Sequence, residues 1–204
     1  KKLKNNVTIG VIGKYIDLKD AYKSLHEALY HASYEVNSNL SIKYIDSEDL
    51  EQSSPKKLLE GCDGILVPGG FGDRGFEGKI SAIQYARENN IPFFGICLGL
   101  QMAVVEFARN VCSIKDAQTR ESKKRSKNYI IDIMESQKKV GSKGGTMRLG
   151  QYPCELKKSS LAYSAYKKAK ISERHRHRYE VNPKYHEKLK KSGLILSGLS
   201  PDGT

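Results

Sequence analysis

PFFGICLGLQ, residues 92–101, joins a short apolar strand to a helix through a turn that carries a cysteine. The apolar residues before Gly95 predict a buried strand, and helical spacing after Gln101 predicts a helix that ends at Val111. Cys97 therefore stands at a strand-to-helix turn, with one glycine two positions before it and another two positions after it. This pattern is the cysteine form of the nucleophile elbow, in which a tight turn exposes a reactive side chain at the end of a strand.

The chemistry of a nucleophile accounts for each part of this turn. Gly95 and Gly99 lack the side chains that would collide in a tight, strained backbone. The helix that follows favours a thiolate at Cys97, because its dipole and its free N–H groups attract negative charge. We expect the N–H groups of Leu98 and Gly70 to form an oxyanion hole, since the intermediate needs converging donors. The alternative is a buried structural cysteine, and the strand–turn–helix context disfavours it.

Outward from this turn, strands and helices alternate. Strands are predicted at 7–12, 41–45, 64–67 and 92–96, and helices at 20–33, from Pro55, at 79–88 and at 101–111. This alternation predicts an α/β fold with an open, mostly parallel sheet and helices on both of its faces. Ligands of such sheets bind at the carboxyl ends of the strands, where the glycine-rich turns 68–75 and 95–99 both lie.

The patterns after Val111 are weaker. Loops are predicted at 113–128 and 136–145, and the second of them is expected to be mobile. Strands are predicted at 129–133, 179–181 and 194–196. Helices are predicted at 160–168 and 184–191. The turn signal Ser-Pro-Asp-Gly at 200–203 calls for a returning strand, so we expect the natural protein to continue beyond Thr204. Because residue 1 is not Met, we also expect a preceding segment.

Composition limits the classes of function. The 204 residues suffice for one domain, predicted to span 1–204. The net charge of +12 could indicate a nucleic-acid partner, but the basic runs lack interleaved aromatics, so a solvated surface is favoured. No apolar run reaches the roughly 20 residues that cross a membrane, and no signal peptide opens the chain. The four cysteines have no zinc-site spacing, which predicts no metal and reduced thiols in the cytoplasm.

Four motifs together resemble a known family. The segment GICLGLQ at 95–101 resembles the nucleophile motif of the class I, or triad, glutamine amidotransferases. Three further segments resemble the CTP synthases among them: LVPGGFGDRG at 66–75, GGTMRLG at 144–150 and ERHRHRYEVN at 173–182. The last of these is long and specific, and it disfavours other triad amidotransferases. The resemblance extends from about residue 7 to residue 199.

The resemblance implies a flavodoxin-like fold and a two-part reaction. Cys97 would attack the side-chain amide of L-glutamine, form a γ-glutamyl thioester and release ammonia. The ammonia would pass to an N-terminal synthetase domain of the same protein, absent from this chain, where ATP with Mg²⁺ activates UTP for amination to CTP. GTP would act as an allosteric activator, and this domain itself would need no cofactor. A homotetramer is expected, with no nucleic-acid and no membrane partner.

The resemblance also assigns residues. Those expected to bind glutamine are Gly70, Leu98, Gly99, Leu100, Gln101, Glu121 and Arg178. A carboxylate at Glu121 suits the α-ammonium group of the substrate, and the guanidinium fork of Arg178 suits its α-carboxylate. Phe71 and Arg176 resemble positions near the GTP site. The alternatives are an ordinary loop carboxylate at Glu121 and a surface charge at Arg178.

One part of the family pattern is missing from the printed sequence. The family's catalytic His and Glu lie in a His-Pro-Glu motif, and no His-Pro pair occurs among the 204 residues. We therefore expect a domain that is incomplete at its C-terminal end and turns over little glutamine by itself, since the leaving ammonia would lack a general acid. The alternative is a catalytically silent glutaminase-like module for regulation or assembly. A natural sequence with that motif shortly after Thr204 would exclude this alternative.

Overall fold

The computed structural model describes residues 5–14, 19–133, 148–201 and 203, and it divides into two compact units. The first unit extends to Glu106 and the second begins at Phe107. The loop predicted at 136–145 lies outside the described residues. Within the described ranges, no helix combines the length and the apolar character that a membrane span requires.

The first unit is built on a parallel sheet. Its strands are β1 (Asn5–Gly13), β2 (Ser38–Asp46), β3 (Gly64–Val67) and β4 (Phe93–Gly95), in the order β2-β1-β3-β4. Every residue of β3 is buried, as expected for an inner parallel strand that is covered on both faces. The chain proceeds outward from β1 to β2 and then returns to β3 on the other side, so the carboxyl ends of β1 and β3 flank a topological switch point. The predicted parallel α/β architecture is confirmed.

Among the described residues, five α-helices flank this sheet. They are α1 (Lys23–Glu35), α2 (Asp49–Gln52), α3 (Pro55–Leu59), α4 (Phe76–Glu88) and α5 (Leu98–Asn110). On α5, Met102, Val105 and Ala108 are fully buried, and burial of a side chain as large as Met or Val stabilises the fold by about 1.5–3 kcal/mol. The sequence missed α2, a single turn with one buried residue, Leu50. It also placed the start of α5 three residues late, because apolar spacing does not mark the first turn of a helix.

The described part of the second unit forms two small sheets. Its strands are β5 (Gln118–Thr119), β6 (Tyr129–Ile133), β7 (Arg148–Leu156), β8 (Lys170–His177), β9 (Tyr179–Val181) and β10 (Gly198–Leu199), and its helices are α6 (Leu161–Tyr166) and α7 (His186–Lys191). One sheet has the order β5-β6-β9 and the other β10-β7-β8. The strands predicted at 129–133 and 179–181 are confirmed, whereas the long hairpin of β7 and β8 was not predicted. Its many charged and exposed side chains hide the alternation that a half-buried strand shows.

The strand predicted at 194–196 is wrong. Gly193, with φ +102°, and Leu194 instead end α7 with N–H bonds to the carbonyl oxygens of Lys190 and Leu189, both at 3.0 Å. This is the usual glycine-assisted helix end, in which the chain reverses and satisfies the last carbonyls of the helix. The strand itself comes later, as β10, paired with β7.

Candidate functional site

The turn around Cys97 has the geometry that a nucleophile elbow requires. Cys97 has φ +52°, in the left-handed region, which costs a non-glycine residue about 1 kcal/mol or more. It follows β4 closely and immediately precedes Leu98, the first residue of α5. The Gly99 N–H donates to the Ile96 carbonyl at 2.9 Å, and the Gln101 N–H donates to the Cys97 carbonyl at 3.1 Å. Cys97 is half-buried and lies at a helix N-terminus, as the sequence predicted.

Both glycines of the turn are required by backbone contacts. A Cβ atom on Gly95 would lie 2.5 Å from the carbonyl carbon of Gly99, and a Cβ atom on Gly99 would overlap the carbonyl oxygen of Val67. Main-chain atoms of this kind have no rotamer by which to move aside. The Ile96 N–H also donates to the Val67 carbonyl, at 2.9 Å, and this hydrogen bond joins the turn to the end of β3. The predicted collision of side chains at Gly95 and Gly99 is confirmed.

The glycine-rich loop 68–75 lies against this turn. A Cβ atom on Gly69 would be 3.5 Å from the Cβ atom of Cys97, and one on Gly70 would be 3.5 Å from the Cδ2 atom of Leu98. The structure thus brings Gly70 next to Leu98, the two residues expected to donate to an oxyanion. As the first residue of a helix, Leu98 has no intrahelical acceptor for its N–H. The sequence analysis did not single out Gly69, which is the loop residue next to the nucleophile itself.

The first turn of α5 contains the other residues predicted to line the glutamine site. The side chains of Leu98 and Gln101 are buried, whereas Leu100 is 53% exposed. Gly99 is buried against Val67, and its place in the turn is therefore structural as well as close to Cys97.

In the second unit, sheet topology brings Glu121 and Arg178 together. β5 runs parallel to β6 and β9 runs antiparallel to it, so the carboxyl end of β5 and the amino end of β9 lie at the same end of the sheet. Glu121 follows β5, and Arg178 precedes β9. Burial and the nearby Glu121 carboxylate raise the pKa of the Tyr179 phenol, while a hydrogen bond from Arg178 opposes that rise. An acidic and a basic group therefore surround one phenol, a suitable arrangement for binding an amino acid by both of its charges.

The backbone next to Glu121 is fixed by an ion pair. Arg120 donates to both carboxylate oxygens of Asp132, at 2.9 and 3.1 Å, and its guanidinium lies 3.5 Å from the ring centroid of Tyr129. These hydrogen bonds to Asp132 raise the pKa of Arg120. The end of β5 is thus tied to β6 just before the residue predicted to bind the substrate's ammonium group.

The histidines of the ERHRHR segment bond to each other. His175 Nδ1 lies 2.9 Å from His177 Nε2, and His177 Nδ1 lies 3.0 Å from the carbonyl oxygen of Tyr179. Arg176 lies between them on β8, exposed. Phe71, the other residue predicted near a GTP site, belongs to the first unit and is 62% exposed.

The other cysteines lack the features of Cys97. All four are free thiols. Burial raises the pKa of the Cys62 and Cys154 thiols, which makes them poorer nucleophiles at neutral pH. Cys112 is buried. In the part of the chain that the structure describes, no three His, Cys, Asp or Glu side chains are placed to hold a metal ion.

Lys14 is a residue near the site that the sequence analysis missed. Its ammonium group donates to the carbonyl oxygens of Phe71 and Gly72, in the loop that carries Gly70. The rule that ligands bind at the carboxyl ends of strands could have drawn attention to it, because Lys14 directly follows β1.

Comparisons with known proteins agree with this geometry. Residues 17–204 match the family model described as glutamine amidotransferase class-I. A CTP synthase of Methanocaldococcus jannaschii is 55% identical over 98% of this chain, and one of Pelobacter propionicus is 58% identical over 96% of it. The chain spans 38% and 37% of the lengths of these two relatives. The solved structure "Trypanosoma brucei CTPS - glutaminase domain with bound acivicin" has a TM-score of 0.89 and 43% identity, covering 97% of this chain and 77% of that one.

Proposed function

We propose that the natural protein, by means of this chain, releases ammonia from L-glutamine for the synthesis of CTP. The chain belongs to the class I glutamine amidotransferase family and is homologous to the glutaminase domain of CTP synthase. One observation carries the proposal. Cys97 is held in the left-handed region between two glycines that admit no side chain, at the start of a helix and against a glycine-rich loop. A buried structural cysteine has no need of such a costly backbone.

The proposed reaction divides amide hydrolysis into two steps. The Cys97 sulfur attacks the side-chain carbonyl carbon of glutamine, and the electron pair of the C=O bond moves to oxygen, where the N–H groups of Leu98 and Gly70 stabilise it. When the oxyanion collapses, the C–N bond breaks, and the nitrogen takes up the proton that the Cys97 thiol gave up and leaves as ammonia. Water then attacks the thioester, releasing glutamate and restoring the thiol. Glu121 and Arg178 hold the α-ammonium and α-carboxylate groups.

The remaining parts of the proposal concern the whole protein. Ammonia passes to a synthetase domain, where ATP with Mg²⁺ activates UTP. GTP bound near Phe71 and Arg176 stimulates the reaction, and the protein acts as a homotetramer in the cytoplasm, in keeping with its free thiols. The 204-residue chain by itself turns over little glutamine, because the family's acid–base histidine belongs to a His-Pro-Glu motif that the printed sequence lacks.

A Cys97→Ala variant of the natural protein tests the assignment. We expect glutamate release from glutamine, and CTP formation from UTP, ATP and glutamine, to fall by about 1,000-fold or more, since the nucleophile is gone. CTP formation from free ammonia should persist, because it does not need the glutaminase. Glutamate release and CTP are measured in parallel, with either nitrogen source.

Cys154→Ala is the matched control, since this thiol is also half-buried and is expected to leave both reactions unchanged. If Cys97→Ala still hydrolyses glutamine, Cys97 is not the nucleophile. If the natural protein neither hydrolyses glutamine nor forms CTP, a silent regulatory module replaces the proposed function.

A further inference from the structure

Lys14, the residue directly after β1, contacts the glycine-rich loop 68–75. It follows β1 directly, beside β3, at the switch point of the sheet. Its ammonium nitrogen donates to the carbonyl oxygen of Phe71 at 2.8 Å and to that of Gly72 at 3.0 Å. Its own carbonyl oxygen accepts a bond from the guanidinium of Arg74 at 3.4 Å. The residue that follows the first strand therefore binds the 68–75 loop at its tip, Phe71 and Gly72, and again near its end, at Arg74.

A second lysine holds the base of the same loop. The ammonium group of Lys79, which is 2% exposed, donates to the hydroxyl of Ser47 at 2.9 Å and to the carbonyl of Gly75 at 3.2 Å. Ser47 is fully buried, and its N–H donates to the Gly13 carbonyl at 3.0 Å. The base of the loop is thus attached to the end of β1 independently of Lys14. The ammonium group of Lys14 acts on the tip.

Lys14 holds the tip of the loop, Phe71 and Gly72, by two carbonyl oxygens, and this determines the direction in which the N–H groups of these peptides point. A trans peptide is planar and directs its N–H away from its C=O, so the two peptide groups that bind Lys14 through oxygen turn their N–H groups away from it. Gly72 has φ +75°, a conformation that lets two successive carbonyls face one cation. The peptide that carries the Gly70 N–H lies two units before this held tip, and the residue before it, Gly69, lies beside Cys97.

We propose that Lys14 is a positioning residue, which keeps the 68–75 loop in the conformation that offers the Gly70 N–H to the oxyanion formed at Cys97. The inference rests on the proposed glutaminase function and adds a residue to it. Bonds from a charged donor are stronger than neutral ones. Because Lys14 is half-buried, its bonds to the loop compete with water, so we expect its loss to affect the reaction rate more than the fold.

The test is Lys14→Met in the natural protein, compared with Lys43→Met. Lys43 is the matched control because it also donates to a main-chain carbonyl, that of Glu60 at 3.2 Å, from the neighbouring strand β2. For Lys14→Met we expect kcat for glutamine hydrolysis to fall by about 10- to 100-fold, the cost of a small misplacement of a catalytic group, with KM changed less than about threefold. Lys43→Met should match the unaltered protein.

Alkylation by iodoacetamide separates loop position from thiol reactivity. In this displacement the Cys97 sulfur bonds to carbon as iodide leaves, and no oxyanion forms. The rate of labelling at Cys97, measured by peptide mass spectrometry, should therefore stay within about twofold of the unaltered protein in Lys14→Met. Lys14→Arg, which retains charged donors for the loop carbonyls, should recover at least part of the lost kcat.

Each other outcome overturns the proposal. An unchanged kcat in Lys14→Met means that the loop does not need the lysine. Equal losses of kcat and of Cys97 labelling mean that the turn itself is disturbed. If Lys14→Met fails to fold, Lys14→Arg decides: a folded Lys14→Arg with kcat as low as that of an inactive protein contradicts a role through carbonyl contacts. These results are distinct from failure of the glutaminase assignment, which Cys97→Ala tests in the unaltered loop.

Discussion

The nucleophile turn of the first unit and the Glu121–Arg178 end of the second unit are built on different principles. In the turn, contacts between main-chain atoms determine which residues fit, so Gly95 and Gly99 are required by the shape of the backbone. At the other end, the charges of Glu121 and Arg178 lie around Tyr179, while the backbone is ordinary strand and loop. Substitutions in the first region should therefore damage the fold, and those in the second should damage substrate binding alone.

The largest effect expected from this comparison is that of Gly99→Ala. Its Cβ atom would overlap the Val67 carbonyl oxygen, so β3 and α5 must separate, and we expect the free energy of unfolding to fall by about 3 kcal/mol or more. Urea unfolding followed by circular dichroism measures the loss. Gly70→Ala is the control: its Cβ atom would make an ordinary contact of 3.5 Å with Leu98, and we expect a change below about 1 kcal/mol. Equal free energies of unfolding for the two variants would contradict the claim that main-chain contacts determine which residues fit in the turn.

A buried lysine provides a pH test inside the first unit. Burial, reinforced by Lys14, lowers the pKa of Lys79 from 10.5 to about 8. Below pH 8 the lysine is charged in both the folded and the unfolded states, and the cost of burying that charge is present in full. Between pH 8 and pH 10.5 the unfolded state binds more protons, so stability should rise with pH, by about 3 kcal/mol in total.

Lys79→Met isolates this contribution. We expect the unaltered protein to gain stability relative to Lys79→Met as the pH rises from 7.5 to 10, measured by urea unfolding at each pH. A difference between the two proteins that does not change with pH would contradict the buried charge. If Lys79→Met instead gained stability relative to the unaltered protein as the pH rises, the hydrogen bonds to Ser47 and Gly75 would stabilise the charged form of the lysine in the folded state.

The smallest effect expected is on binding in the second unit. Arg178→Gln should raise KM for glutamine by about 10- to 30-fold with kcat changed little, because the lost charge is proposed to hold the α-carboxylate, a part of the substrate that does not react. Arg174→Gln is the control and should leave KM unchanged, because Arg174 is exposed on β8, the strand that ends just before Arg178. Steady-state glutaminase assays give both constants. A stability loss in Arg178→Gln as large as that of Gly99→Ala would erase the distinction between the two regions.

The nucleophile turn and the Glu121–Arg178 region also differ in how far the sequence alone predicts them. The parallel sheet, the elbow at Cys97 and the approach of the loop at Gly70 could all be predicted, because glycine spacing and buried strands record steric requirements directly. Glu121 and Arg178 were assigned only through a family resemblance, since a carboxylate and a guanidinium in polar segments carry no local signature. Their proximity depends on the pairing of β5, β6 and β9, which are short and far apart in the chain.

Some features had no signal that local patterns could reveal. The contacts of Lys14 with Phe71 and Gly72 join residues more than fifty positions apart, and a lone lysine after a strand looks like solvated surface. The strands β7 and β8 pair through their main chains along the whole of β8, while most side chains of β8 face solvent. Hydrophobic periodicity does not predict such a strand, because neither of its faces is consistently buried.

The contact between Gly99 and Val67 also has a genetic consequence. The atom that excludes a side chain at position 99 is a main-chain oxygen, and all twenty amino acids supply the same oxygen at position 67. No replacement of Val67 can therefore act as a second-site suppressor of Gly99→Ala. A selection for restored growth should yield true revertants to glycine at position 99, whereas defects at Arg178 should be open to suppression by new charges nearby.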